Sequence, residues 1–202
     1  MRATYVLASA SPRRVALLRA LGLDPEVVPS GVDETLLPGE GPAAHVGRLA
    51  AAKGRAIASR VRGRIPPAIV VSADTAVVLE GRILGKPADD AQALEMLRAL
   101  SGRVHEVLTA LRVERTDDGR SALRVAVSRV RFRAVPESLL RWYVSTGEPR
   151  DKAGAYGLQG FGVLLTDGIE GSWSNVVGLP LEALPELLAE IGVDLFATIP
   201  VP

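Results

Sequence analysis

Apolar and polar positions along the chain switch between a helical and an extended period. Val6-Leu7-Ala8 is a short apolar run. It is followed by Ser9-Ala10-Ser11-Pro12 and then by Leu17, Leu18 and Leu21 at helical spacing, which predicts strand, loop, helix. Ser11 is a natural N-cap, and Pro12 fits the first helical position because its missing N–H would be unpaired there anyway. Gly22 closes this helix, and Glu26 to Val28 forms a second short strand. Gly31-Val32-Asp33-Glu34-Thr35 is then a loop or an irregular strand end. From Pro42 to about Val61, the positions Val46, Leu49, Ala50, Ile57 and Val61 suit a long helix. Ala68 to Val71 is a β-branched run of buried-strand type, expected to end at Ser72-Ala73-Asp74-Thr75.

Further on, Ala76 to Leu79 and Arg82 to Leu84 flank Glu80-Gly81, a hairpin signal. Asp89 to Leu100 places Leu94, Leu97 and Leu100 on one helical face. The clearest hairpin joins His105–Glu114 to Ser121–Val135 through Thr116-Asp117-Asp118-Gly119, with Leu123, Val125 and Val127 alternating with charged or small residues. Pro136 to Ser145 returns to helix, Gly154 to Gly171 is glycine-rich, and Leu181 to Ile191 is a final helix. Strand-helix units mixed with long antiparallel hairpins give an α/β class with a mixed sheet, in a single domain spanning 1–202.

Composition narrows the function classes. The chain has 202 residues, 48% of them apolar and 23% charged, enough to bury a core without metal or disulfide staples. No cysteine is present, which excludes disulfides, thiolate zinc sites and cysteine nucleophiles. Neither a signal peptide nor a membrane-spanning run is evident, so a cytoplasmic protein without membrane attachment is expected. A net charge of +1 gives no polyanion-seeking field, and direct nucleic-acid binding is not expected. A local anion site stays open. Of the 24 basic side chains only Lys53, Lys86 and Lys152 are lysines, leaving 21 arginines. A composition that supplies arginine at indifferent positions makes those three worth locating.

The turn Ser9-Ala10-Ser11-Pro12-Arg13-Arg14 joins a strand to a helix N-terminus, where free N–H groups and the helix dipole favour an anion. Two hydroxyls and two guanidiniums there add donors matched to phosphate oxygens. A capped surface helix with solvated arginines is the alternative, and the turn is not a Walker loop. Asp74 at a strand end and Glu34 in a loop are placed to hold a hard divalent cation, and one of them could take a proton from water; turn formation is the plainer role. Lys53 lies among Ala50, Ala51, Ala52 and Gly54, where small neighbours allow close approach, and Lys86 follows the hairpin in Gly85-Lys86-Pro87. His45 and His105 form no zinc or triad pattern, and His105 reads as a residue orienting a loop. Trp142, Tyr143 and Trp173 read as core or interface aromatics.

Eight ordered segments span the chain from Leu7 to about Leu181. The first half holds Ser9-Ala10-Ser11-Pro12-Arg13-Arg14, Val32-Asp33-Glu34, Leu49-Ala50-Ala51-Ala52-Lys53, Ser72-Ala73-Asp74-Thr75 and Gly85-Lys86-Pro87. The second holds Leu100-Ser101-Gly102-Arg103-Val104-His105, the segment Asp151-Lys152-Ala153-Gly154-Ala155-Tyr156-Gly157-Leu158-Gln159-Gly160, and Asn175-Val176-Val177-Gly178-Leu179-Pro180. On these segments the sequence resembles the Maf family of nucleoside triphosphate pyrophosphatases. Gly54, where alanine is commoner, and Phe161, at a variable position, depart from the pattern without removing a functional group.

The resemblance implies hydrolysis of a nucleoside triphosphate between its α and β phosphates by a two-lobed protein with a central cleft, like inosine triphosphate pyrophosphatases. A divalent cation, magnesium or manganese, and a homodimer are implied with it. Asp74 maps to the catalytic acidic residue, as base or mainly as metal ligand, and Glu34 to a metal or water-positioning partner. Ser9, Ser11, Arg13, Arg14, Lys53 and Lys86 map to the substrate phosphates. The 151–160 segment looks like the branch acting on dTTP and UTP, in which Arg13, Thr75 and Gln159 influence specificity. A carboxamide offers the donor and acceptor that the O4/N3 edge of thymine or uracil requires. Inosine, xanthosine or 7-methylguanosine triphosphates are alternative substrates, and a regulator of septum formation is the non-enzymatic alternative.

Overall fold

The computed structural model describes residues 4–199. Its N-terminal unit runs from β1 (Thr4–Leu7) into α1 (Pro12–Ala20) and on to β2 (Glu26–Val27). Pro12 occupies the first turn of α1, but Ser11 at the cap position makes no side-chain capping bond. Next come α2 (Pro42–Val61), β3 (Ala68–Leu79), β4 (Arg82–Leu84) and α3 (Asp90–Leu100). Asp89 caps α3 by accepting from the Gln92 N–H at 2.8 Å. The long hairpin is β5 (Val104–Arg115) and β6 (Ser121–Phe132), paired in register from Val104–Arg131 to Glu114–Ser121. After α4 (Glu137–Ser145), the chain passes through short 3-10 turns to β7 (Thr166–Glu170), α5 (Trp173–Val177) and α6 (Leu184–Glu190).

The strands form one mixed sheet in the order β2-β1-β3-β5-β6-β7, with β4 paired to β3 off that path. β1 is parallel to both β2 and β3, and every other pairing is antiparallel. The mixed α/β architecture expected from the sequence is therefore present. Twelve-residue strands at the centre make the sheet long, about 40 Å at the usual rise per residue.

One expectation is corrected here. The strand beginning at Ala68 does not end at Ser72-Ala73-Asp74-Thr75; it continues unbroken to Leu79. Polar residues do not stop it because each finds a partner. Asp74 pairs with a lysine of α2, and the Thr75 and Thr109 hydroxyls meet across the ladder at 2.9 Å. Asp74 is thus a mid-strand residue. Smaller differences have equally local causes. β6 stops at Phe132, since the Arg133 N–H turns to the Leu165 carbonyl instead of continuing the ladder. The last helix is preceded by a 3-10 turn, Leu181–Ala183. The glycine-rich stretch includes β7, and α5 follows it; neither was expected from the pattern. Tyr143 is in the core, whereas Trp142 and Trp173 are exposed.

Two cores flank the middle of the sheet. On one face, Ile69, Val71 and Ala73 of β3 join Leu111 and Val113 of β5 beneath α1 and α6. Farther along the same strands, Val77, Leu79 and Val107 pack with Leu97 and Leu100 of α3 and Leu140 and Tyr143 of α4. On the opposite face lies α2, whose Val46 and Ala50 cover Ala76 and Val78, while Ile57 and Val61 cover Val70. Burying each such large aliphatic side chain contributes about 1.5–3 kcal/mol. The two lobes implied by the family resemblance are these two cores. Among the described residues, no helix is long and apolar enough to cross a membrane.

His105 is fully inside the second core, edge-on to Phe132 and Tyr156, with Nε2 2.7 Å from the Tyr156 hydroxyl. It ties the loop bearing Tyr156 to β5, the orienting role expected of it. Burial pushes its pKa down to about 4 from the ordinary 6.5. The unfolded chain therefore binds more protons between those values, so His105 favours folding fully above about pH 6.5 and loses that contribution as pH falls toward 4. In thermal melts from pH 7 to pH 4.5, His105→Gln should flatten the acid loss of stability by on the order of 2 kcal/mol. An identical slope in the two proteins would show that His105 is not the group being titrated.

Candidate active site

The topology leaves a gap on one edge of β3. β1 covers that edge only as far as Val71, with Ala8 donating once more to the Val71 carbonyl, and β4 resumes pairing at Val77. A cleft of about 700 Å³ opens there, between the two cores. All ten residues singled out from the sequence line it: Ser9, Ser11, Arg13, Arg14, Glu34, Lys53, Asp74, Thr75, Lys86 and Gln159.

Lys53 occupies the centre. Its Nζ lies 2.6 Å from Asp74 Oδ1 and 2.6 Å from Glu34 Oε1, so one ammonium joins a mid-strand aspartate to a loop glutamate. Lys53 and Asp74 are both 6% exposed, while Glu34 opens to solvent. Alternation along β3 puts Asp74 on the α2 face, and Lys53 lies on the buried side of α2 among Leu49, Ala50 and Ile57. Gly54 beside it has a structural reason: a Cβ there would lie 2.5 Å from an Arg112 guanidinium nitrogen and 2.6 Å from Ser72 Oγ. Arg112 is itself buried against Glu114, 2.6 Å away.

The Glu34 loop is anchored by Glu40, whose carboxylate receives Arg48 Nε at 2.6 Å and Nη2 at 2.7 Å and faces His45 Nδ1 at 3.0 Å. The Arg48 bonds, opposed by burial and helped by His45, hold Glu40 down to about pKa 2. For Glu34, burial pushes upward, but the Lys53 hydrogen bond and the charges of Lys53, Lys86 and Arg14 outweigh it. Its carboxyl stays below the ordinary range, so it is anionic at neutral pH.

The neighbouring arginines differ sharply. Arg14 is buried and donates from Nε to the Gly178 carbonyl at 2.8 Å, from Nη1 to Ser9 Oγ at 3.1 Å and from Nη2 to Thr75 Oγ1 at 3.1 Å. Burial lowers its pKa, with the Asp74 charge in opposition. The hydrogen bonds continue inward. Thr109 donates to the Asn175 carbonyl at 2.9 Å, so the proton shared between Thr75 and Thr109 is that of Thr75. The Thr75 hydroxyl therefore lines the cleft with its hydrogen committed to Thr109. Arg13 instead reaches across the cleft to Asp151 at 2.8 Å, an exposed pair joining α1 to the opposite lobe. Ser9 Oγ also accepts from the Ser11 N–H at 3.2 Å. Lys86 and Gln159 are exposed, and Lys86 has no carboxylate partner among the described residues.

Sequence reasoning missed the scaffold behind these groups. Thr109 and Asn175 carried no signal of their own, although Asn175 lay in a matched segment. Its buried side chain donates to the Val107 carbonyl and to Ser128 Oγ, fixing α5 against β5 and β6. Lys152, the third lysine, pairs with Asp151 at 2.7 Å and donates to the Glu148 carbonyl, which braces the loop behind Gln159.

Two carboxylates, a shared ammonium and rim cations in the central cleft of an elongated mixed sheet define an α/β protein with a densely charged cleft between its two cores. The chain belongs to the Maf family, since the model of the Maf-like protein matches residues 4–191. It is 50% identical over 194 residues to a dTTP/UTP pyrophosphatase of Moorella thermoacetica, covering 96% of this chain and 98% of that one. It is 46% identical over 187 residues to a dTTP/UTP pyrophosphatase of Syntrophus aciditrophicus, covering 93% and 89%. Among solved structures, a HAM1 protein from Coxiella burnetii aligns over 93% of this chain and 99% of that one, at 19% identity and a TM-score of 0.48.

The contrast between the two arginines is measurable. Arg14→Lys should lower unfolding free energy by about 2 kcal/mol, because an ammonium cannot reproduce three buried, divergent hydrogen bonds. Arg13→Lys should change it by less than about 0.5 kcal/mol, the scale of an exposed ion pair. Equal losses in denaturant titrations would contradict the division between scaffold and rim.

Proposed function

We propose that this protein hydrolyses dTTP and UTP at the α–β phosphoanhydride bond, yielding the nucleoside monophosphate and pyrophosphate, with magnesium or manganese as cofactor. The observation that carries the reading is the Lys53 bridge, which gathers two carboxylates in a cleft rimmed by Ser9, Arg13 and Lys86. The names of the two bacterial relatives supply the base preference.

The residues fit a phosphate-shared cation. Among the described residues no cluster of three or more His, Cys, Asp or Glu side chains could hold a metal alone. Magnesium is commonly held through one or two carboxylates with the rest of its shell from phosphates and water, and Glu34 and Asp74 offer that donor set. Bound there, the cation would polarise a phosphoryl oxygen and offset charge on the triphosphate.

The chain's own groups supply the rest. Asp74 accepts the proton of the attacking water as the bridging P–O bond breaks and pyrophosphate departs. Glu34 orients that water or holds the cation. Lys53, a mobile point charge, can turn from its carboxylates to follow the phosphate charge. Ser9 Oγ accepts two bonds from the protein and keeps its hydrogen for a phosphate oxygen. Arg13 and Lys86 meet the outer phosphates from opposite sides of the cleft, Arg14 supports the turn that carries Ser9, and Gln159 faces the base. Preorganised cations of this kind act where charge develops, without reorganising at the moment of reaction.

Incubation with a panel of nucleoside triphosphates and magnesium or manganese should release pyrophosphate fastest from dTTP and UTP. Asp74→Asn should fold and react at least about a hundred-fold more slowly, the scale of losing a positioned acid-base group. Release of orthophosphate, or near-normal turnover by the variant, would refute the reading.

A further inference from the structure

The segment carrying Gln159 leaves α4 and returns to β7 through 3-10 turns at Glu148–Asp151, Ala153–Ala155 and Phe161–Leu165. Among the described residues no strand lies between α4 and β7, so other groups must satisfy the segment's backbone and fix its path. Glu148 closes it. One carboxylate oxygen accepts from the Tyr143 hydroxyl at 2.9 Å and the Gly162 N–H at 3.2 Å, and the other from the Phe161 N–H at 2.8 Å. The Tyr143 oxygen in turn accepts from the Gly157 N–H at 3.2 Å. Backbone on both sides of Gln159 is therefore fastened to one carboxylate and one phenol.

Sterics point the same way. A Cβ at Gly160 would lie 2.5 Å from a Glu148 carboxylate oxygen, and one at Gly162 would lie 2.3 Å from the Gly157 carbonyl. Glycine at both positions lets the loop close onto Glu148. Burial, followed by the Glu148 carboxylate, raises the Tyr143 pKa, so the phenol keeps the proton it donates.

A carboxamide cannot select a base by residue type alone. Turned by half a rotation, the same amide that meets the O4/N3 edge of uracil meets the N4/N3 edge of cytosine. Discrimination depends on where the loop sets the amide within the cleft. We infer that Glu148 is a positioning residue for base selection, fixing the place of Gln159 and with it the preference for thymine and uracil over cytosine. This rests on the reading that Gln159 meets the base.

Steady-state kinetics of the full chain with dTTP and dCTP test it through a double-mutant cycle. Glu148→Gln keeps the shape but puts an amide donor against backbone donors. It should lower the ratio of kcat/KM for dTTP over dCTP by about ten-fold, within the hundred-fold range that a misplacement of about 1 Å can cost. Gln159→Ala should lower the ratio as well, and Glu148→Gln should lower it no further in that background. Tyr143→Phe, which removes only the phenol link, should shift the ratio the same way by less, and carries the test if Glu148→Gln fails to fold. Equal loss of kcat/KM on both nucleotides, or effects that add fully with Gln159→Ala, would overturn the role of Glu148 while leaving Gln159 in place. A ratio unchanged by Gln159→Ala would overturn both.

Discussion

Lys53 Nζ sits 2.6 Å from a carboxylate oxygen of Asp74 and of Glu34, and burying such a group is tolerated only with close pairing. Removing ions from water costs several kcal/mol each even after relaxation, so a loosely held helix would not keep a lysine there. The surrounding structure reads as the solution to that demand. α2 lies close to the sheet because Ala50 and Gly54 present almost no side chain to it, and Val46, Leu49, Ile57 and Val61 anchor it along its length. Gly54 also makes room for Arg112, whose guanidinium lies 2.6 Å from the buried Glu114 carboxylate beneath the helix. The Glu34 loop reaches the same ammonium because Glu40 ties its far end to Arg48 and His45 on α2.

The second constraint is the shape of β3. A strand with polar residues at 72, 74 and 75 usually terminates, yet here it must continue to serve two cores. Continuous pairing with β5 supports one edge from Ile69 to Val78, while the other edge is left open between β1 and β4. That opening turns two adjacent hydrophobic cores into two lobes with a cleft between them. It also lets residues on opposite faces of β3, Asp74 toward α2 and Thr75 toward Arg14, both border the same space. The candidate residues gather at the point where the edge is uncovered, because only there are mid-strand side chains of β3 open to approach.

Much of this was legible in the sequence, for identifiable reasons. The apolar spacing of α2 and α3 and the alternation of β6 report burial directly. The ten candidate residues share one cleft, although Thr75 and Gln159 are indicated by the family resemblance alone and Lys53 lies mid-helix among alanines. What stayed hidden depends on partners distant in sequence. Asp74 looked like a strand end since its lysine lies 21 residues away in another element. For Arg14, nothing local shows that Gly178, Ser9 and Thr75 converge on its guanidinium. β7 lies in the glycine-rich stretch and α5 just after it, where order comes from Ser128, Ser172 and Asn175, not from hydrophobic period.

The near-neutral charge of the chain acquires a spatial meaning from these pairings. Many arginines on the surface are matched to nearby carboxylates, among them Arg64 with Glu26, Arg98 with Glu137, Arg115 with Asp117 and Arg150 with Asp90. Such pairs add little stability, but they cancel the long-range field that would otherwise attract any polyanion. Around the cleft stand Lys53 and Arg13, each paired to a carboxylate, and Lys86, which has none among the described residues. Lysine suits position 53 because an ammonium on a flexible stem can serve two carboxylates at once without aligning a planar fork. The placement of Lys53, Lys86 and Arg13 is a geometric constraint: the three cations border one space, which only a ligand small enough to enter the gap beside β3 could reach together.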